Sequence, residues 1–410
     1  MHLYDIPLYF VLAGLVLYTV LAGADFGAGI WQLAARARPE GRPYRDHAFR
    51  AMAPVWEANH VWLLFAVTVS WTAYPRVFAS VFSTLCAPLF LAAVGIIMRG
   101  AAYALRSGSP DRRAIDVLFA ASSILTPFGL GAAVGGIASG RVPVGNAAGD
   151  LIDSWVNPTS IAVGTLAVAV SAYLAAVYLA ADAARIHAPD LERYYRGRAL
   201  ATGVVAGAIA VAGLVVLHSD AHPLYRRLVA GDGLAALVAS IVAGLATLAL
   251  VWLRRYGLAR LGAAAAVAAV IVGWALAQLP TVLPGLTVRQ AAAPHDTLVA
   301  LVVVVLAGIP LLLPSLALLF GLYLRGRFDP GGERPAPPPK HTAGQVLRAS
   351  RPGLLGRSAV ALLIATVGFL NVADTGWANA VGVVCVLAFM LVGFVAIVSS
   401  DLFAEPADNR

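Results

Sequence analysis

The sequence predicts an all-α, polytopic transmembrane protein, and three observations carry that reading. The composition is too apolar for a soluble core, long apolar stretches alternate with short polar loops, and the cations fall on one side. Hydrophobic residues make up 60% of the 410 and charged residues only 12%, with a mean hydropathy of +0.81. A soluble domain carries about 25% charged residues, so here the bilayer has to act as solvent. Crossing a hydrocarbon core of about 30 Å takes about 20 apolar residues in a helix that satisfies its own backbone groups.

Eleven stretches meet that requirement, at roughly 7–33, 54–73, 77–98, 115–137, 159–181, 199–217, 233–253, 257–279, 297–324, 358–373 and 378–400. The first has no cation at its start and holds Asp25, so it reads as a retained helix and not a cleaved signal. With the N-terminus outside, 24 of the 29 cations fall in inner loops or the tail, and only Arg76, Arg141, Arg226, Arg227 and Arg289 fall outside. This satisfies the positive-inside rule and sets the N-terminus out and the C-terminus in. The net charge of +8 therefore reports topology and speaks against a nucleic-acid partner. Cys86 and Cys385 lie within predicted spans and far from any CxxC or Cys/His cluster, which indicates inert core and no metal site.

Residues 1–324 read as one transmembrane core. The segment 325–357 turns abruptly to Pro, Gly and cations, the composition of an extended cytoplasmic linker. Residues 358–410 read as a C-terminal transmembrane hairpin and tail, turning at Asp374-Thr375-Gly376-Trp377, with one long broken helix as the alternative.

A carboxylate in the middle of a bilayer costs roughly 2.5–3.5 kcal/mol on insertion scales, so the acids inside spans need a reason. Asp25 sits in LAGADFGAGIW among Gly23, Ala24, Gly27, Ala28 and Gly29, whose small side chains allow close helix approach. Glu57 sits in APVWEANHVWLL, at the start of the antiparallel second span, which places both acids in the inner third. Arg99 closes the third span and Asp116 opens the fourth at the same depth, so two acids and an arginine are in reach of one another. Asp25, Glu57 and Asp116 are the candidate proton pathway; Trp56, Asn59, His60 and Arg99 form a candidate polar cluster that could rim a lipid-like headgroup. Helix anchoring is an equally open reading of the acids, and a snorkelling anchor is the ordinary role of Arg99.

His60 is the only histidine placed well inside a span, one turn after Glu57. A six-coordinate haem takes two axial ligands from His or Met, and His2, His47, His187, His218, His222, His295 and His341 fall in loops or at helix ends, so haem ligation by this chain is not expected. Asp220, His218 and His222 read as a solvated outer loop.

At LAGADFGAGIW and APVWEANHVWLL the sequence resembles subunit II of the cytochrome bd quinol oxidases, whose members close helix one with a GFDxGVG-like motif and open helix two with a PxWDGNxVWL-like motif. YPRVFASVFS, Arg99, Asn157-Pro158, the turn near Phe128, LPTVLPGLT, Pro310 and Pro314 are similar to the same family, so the resemblance covers about 1–324. It implies two four-helix bundles plus a peripheral helix, paired with a subunit I that holds haems b558, b595 and d and oxidises quinol. It implies no catalytic residue and no directly bound cofactor in this chain, except a structural quinone near Trp56 and Arg99. It also implies proton transfer through Asp25 and Glu57, and a bacterial or archaeal cytoplasmic membrane.

The sequence departs from the family pattern at Glu57, Ala58 and His60, and the extension 325–410 has no counterpart in it. That extension is expected where a small single-helix accessory subunit binds in relatives. A secondary transporter and a purely structural scaffold subunit are the competing readings.

Overall fold

The computed structural model describes residues 2–36, 40–52, 56–105 and 112–324, together with 358, 361–362, 364–365, 377, 380–389 and 391–392; the side chains of 57, 112–114, 320, 323 and 324 lie outside the description. The chain divides into two compact units, Met1–Asp329 and Pro330–Arg410. In the second, a short apolar helix covers Ala380–Phe389. The expected linker, and most of the expected hairpin with its turn at Asp374, lie outside the described residues.

The first unit begins with a 3-10 turn, Leu3–Asp5, that runs into α1 (Ile6–Arg36). Then come α2 (Arg42–Met52), α3 (Trp56–Ala73), α4 (Pro75–Thr84), α5 (Cys86–Leu105), α6 (Arg112–Ala138), α7 (Pro158–Arg185), α8 (Pro189–Asp220), α9 (His222–Ala230), α10 (Leu234–Trp252) and α11 (Tyr256–Gln278). A hairpin of β1 (Thr281–Leu283) and β2 (Leu286–Thr287), α12 (Val288–Ala291) and α13 (His295–Leu324) complete it. Among the described residues eight helices are long and apolar enough to cross a membrane: α1, α5, α6, α7, α8, α10, α11 and α13. α3, expected as the second span, carries Glu57, Asn59 and His60 in its first turns and is not among these eight.

Two helical groups share α1 and α7 as their seam. α1 packs on α3 and α6, and α5 on α6; α7 packs on α8 and α11, and α10 on α8 and α11. α1 and α6 both meet α7, which joins the groups, while α13 lies at the edge against α3 and α1. The α1/α7 seam closes because Gly27 has no side chain: a Cβ there would overlap the Ser171 carbonyl. Ala24, Ala28 and Ala35 of α1 interdigitate there with Ala172, Ala175, Ala176 and Ala180 of α7, small residues that bring the backbones together.

Three sequence expectations change. The third span, expected at 77–98, is broken at Leu85 into α4 and α5, because Pro88 cannot donate to the Thr84 carbonyl and its ring crowds that carbonyl. Leu85 turns inward instead and is fully buried among Ala133, Val142, Leu283 and Leu286. The loop expected after the first span folds as α2, which buries His47, Ala48, Ala51 and Met52. Cys86, expected in the core, is exposed at the start of α5. The β1/β2 hairpin turns through Gly285, whose φ of +75° suits a residue without Cβ.

Candidate functional site

α1 runs 31 residues, through Arg36. Asp25 therefore lies eleven residues from its C-terminal end, about 16 Å of helix rise. Arg99 of α5 reaches it from the opposite wall. Its Nε donates to Asp25 Oδ2 at 2.7 Å and its Nη2 to Oδ1 at 2.9 Å; Nη2 also meets the Asp25 carbonyl oxygen. Nη1 donates to the hydroxyls of Ser123 at 3.1 Å and Ser122 at 3.3 Å, both on α6. The Tyr103 hydroxyl, one turn beyond Arg99, donates to Asp25 Oδ1 at 2.7 Å. Neither charged side chain has any exposed surface.

The guanidinium lies 4.0 Å from the centre of the Phe119 ring and 4.8 Å from that of Phe26, so aromatic faces take the directions its hydrogen bonds leave. A buried ion pair survives desolvation only when geometry and extra hydrogen bonds compensate, and here both carboxylate oxygens and all three guanidinium nitrogens are engaged. Gly29 brings α6 to this place: a Cβ on it would overlap the Ser123 hydroxyl.

The other candidates arrange themselves around this pair. Asn59 is buried and its Nδ2 donates to the Leu21 carbonyl at 3.3 Å, while its Oδ1 has no partner among the described residues. His60 Nδ1 lies 3.4 Å from the Tyr18 hydroxyl, and His60 Nε2 is buried without a partner among the described residues. Trp56 stacks on Tyr103, ring centres 4.8 Å apart. Asp116 stands apart from Arg99: it faces Arg36 at 3.9 Å and Arg45 at 3.8 Å near the C-terminal end of α1. Glu57 has its backbone in α3, and its side chain lies outside the described residues. Tyr103, Ser122 and Ser123 were not singled out by the sequence reading; Tyr103 at i+4 from Arg99 is the signal that could have found the first.

The rings of Tyr18, Phe26 and Trp56 lie 5.8, 6.0 and 6.1 Å from the His60 imidazole and crowd the space a porphyrin would need. The residues around His60 therefore do not fit a haem. Among the described residues, no group of three His, Cys, Asp or Glu is placed to hold a metal ion.

Asp220 ends α8 and is not a solvated loop residue. Arg141 Nη2 and Nη1 donate to its two oxygens at 2.6 and 3.0 Å, and the Thr159 hydroxyl donates at 2.6 Å. His218 and His222 turn away and pack on Tyr225.

Residues 3–323 match the family described as cytochrome bd terminal oxidase subunit II. The chain belongs to that family. It is 28% identical over 130 residues to the cytochrome bd ubiquinol oxidase subunit 2 of Bacillus subtilis (strain 168), a match covering 30% of this chain and 37% of that one. It is 22% identical over 236 residues to a putative cytochrome bd menaquinol oxidase subunit II of the same organism, covering 56% and 67%. The first match thus spans little more than a third of that relative's length. The fold is similar to the bd oxidase of Geobacillus thermodenitrificans, with a TM-score of 0.61 and 26% identity, over 79% of this chain and 99% of that one. The transporter reading falls with this assignment, and residues 324–410 lie beyond the family match.

Proposed function

We propose that this chain is the haem-free second subunit of a bd-type quinol oxidase in a bacterial or archaeal cytoplasmic membrane. In this reading it packs against a haem-bearing subunit I and admits protons from the cytoplasmic side. Family membership supports the complex; the Asp25–Arg99 pair supports the route. The haems b558, b595 and d would reside in subunit I and carry electrons from quinol to dioxygen, and that reduction consumes the protons admitted here. In this chain Asp25 holds the proton. Arg99 fixes the carboxylate and offsets its charge, and Tyr103 and the α6 hydroxyls complete a polar path through an apolar bundle. Trp56, stacked on Tyr103, and the nearby Asn59 and His60 suit the ring and oxygens of a structural quinone better than a bulk-water channel.

The scaffold reading has one observation in its favour: Asp25 is fully satisfied by its neighbours, as a helix-joining ion pair would be. Asp25→Asn in the assembled complex separates the two. The expected outcome is quinol-driven oxygen consumption slower by about 10- to 100-fold, the scale of a lost proton-transfer group, with the haem spectrum intact. Normal turnover with normal haem content would establish the scaffold.

A further inference from the structure

The Asp25 pair is cut off from the inner surface by about 16 Å of helix rise, too far for direct proton transfer. The residues that bridge this distance share one stripe of α1. Tyr18, Asp25, Gly29, Gln32 and Arg36 are spaced by seven, four, three and four positions, so they line one face of the helix. α6 runs antiparallel beside it. Its Asp116 faces Arg36 at 3.9 Å, while its Phe119 and Ser123 face Gly29. Gln32 therefore lies between the Asp116 group at the inner surface and Ser123, whose hydroxyl contacts Arg99.

Gln32 is 6% exposed, and its Nε2 is buried with no hydrogen-bond partner among the described residues. An amide donor left so in an apolar bundle is costly, and a small molecule that accepts its hydrogen bond relieves the cost. Its neighbours along the stripe are the carboxylate group at Asp116 on one side and the serine hydroxyls on the other. That polar surround suits water, which can accept from the amide and donate onward.

The geometry points to Gln32 as the seat of a bound water that relays protons from Asp116 to Asp25. The amide is a positioning residue: it takes no proton itself, but fixes the water's acceptor side so that the proton-donating side points along the seam. A proton enters at Asp116, whose side chain is 24% exposed between Arg36 and Arg45. It crosses the Gln32 water and continues through water along the seam to the Asp25 carboxylate; the Ser123 hydroxyl, which accepts from Arg99 Nη1 and donates to the Phe119 carbonyl, lines that path and carries no proton. This rests on the inner proton route proposed above.

The test uses the whole complex, with proton uptake followed by a pH dye and electron transfer by haem absorbance after mixing the reduced enzyme with oxygen. Gln32→Met keeps the volume and removes the donor; Gln32→Ser shortens the side chain, leaving a hydroxyl and room for a second water. The expected result is proton uptake slowed about tenfold or more in Q32M, with a larger solvent deuterium isotope effect, unchanged haem content and recovery in Q32S. Wild-type uptake in Q32M alongside slow uptake in D25N overturns the Gln32 seat and leaves the route standing; wild-type uptake in D25N overturns the route itself. A second measurement needs no variant. A high-resolution map of the complex should show water density about 3 Å from Gln32 Nε2, and a map with none there overturns the proposal.

Discussion

Arg99 has no solvent to fall back on. It is fully buried, and Asp25 is its one carboxylate partner among the described residues. Removing one member of such a pair leaves an uncompensated buried charge, at a cost of roughly 3–5 kcal/mol. Arg99→Leu should therefore lower the thermal unfolding midpoint of the purified complex sharply. The double variant Asp25→Leu with Arg99→Met should recover most of the loss while abolishing proton delivery. An Arg99→Leu complex as stable as the parent would mean that the pair contributes little. Asp25 and Arg99 were legible in the sequence because charges inside apolar helices are rare and expensive. Tyr103, Ser122, Ser123 and Gln32 were not, since hydroxyl and amide side chains recur throughout such helices. Ser122 and Ser123 also bond locally, to the Phe119 carbonyl.

Among the elements, α2 shows best how a short helix reports on its surroundings. Its buried face carries His47, whose Nε2 donates to the Leu179 carbonyl at 3.1 Å and lies 3.9 Å from Asp182, with the Tyr195 ring alongside and Arg50 and Arg185 nearby. Burial, opposed by that hydrogen bond and by Asp182, holds the imidazole below its ordinary value of 6.5. The unfolded imidazole takes up a proton below that value before the folded one does. Stability is thus full above pH 6.5, falls as the pH drops from there toward the folded value, and levels off below it. His47→Gln should flatten this part of the curve, which thermal unfolding of the complex between pH 7.5 and about 5 would reveal; an unchanged slope would assign it to other groups. α2 escaped the sequence reading because eleven residues rich in arginine look like a loop on hydropathy alone. The long spans were legible because an apolar run of about 20 residues has few other uses. The third shifted because Pro88 interrupts an otherwise continuous apolar stretch.

At the scale of the whole first unit, one contact that ties distant segments together is the fork of Arg141 on Asp220. It joins the loop after α6 to the end of α8, with Thr159 adding the start of α7. Hydrogen bonding to Asp220 raises the affinity of Arg141 for its proton, and a bidentate pair fixes orientation as well as distance. Arg141→Ala should speed amide hydrogen exchange in residues 139–157 and at the adjoining end of α8, leaving the α1/α6 seam protected as before; equal exchange throughout would show the fork to be dispensable. The partition into two bundles and a peripheral helix followed from the family resemblance and not from periodicity, because hydropathy finds spans without saying which of them touch. Only close approaches such as Gly27 against Ser171 decide that.

The separation of 74 residues between Asp25 and Arg99 also has a consequence for synthesis. At roughly 5–20 residues per second, α1 emerges from the ribosome about 4–15 s before its cation does. During that interval the first helix must enter the membrane with its acid uncompensated, against an insertion penalty of roughly 2.5–3.5 kcal/mol. The leucines and valines earlier in the helix offset that penalty, so the helix that carries the buried acid also carries the hydrophobicity needed to wait for its partner.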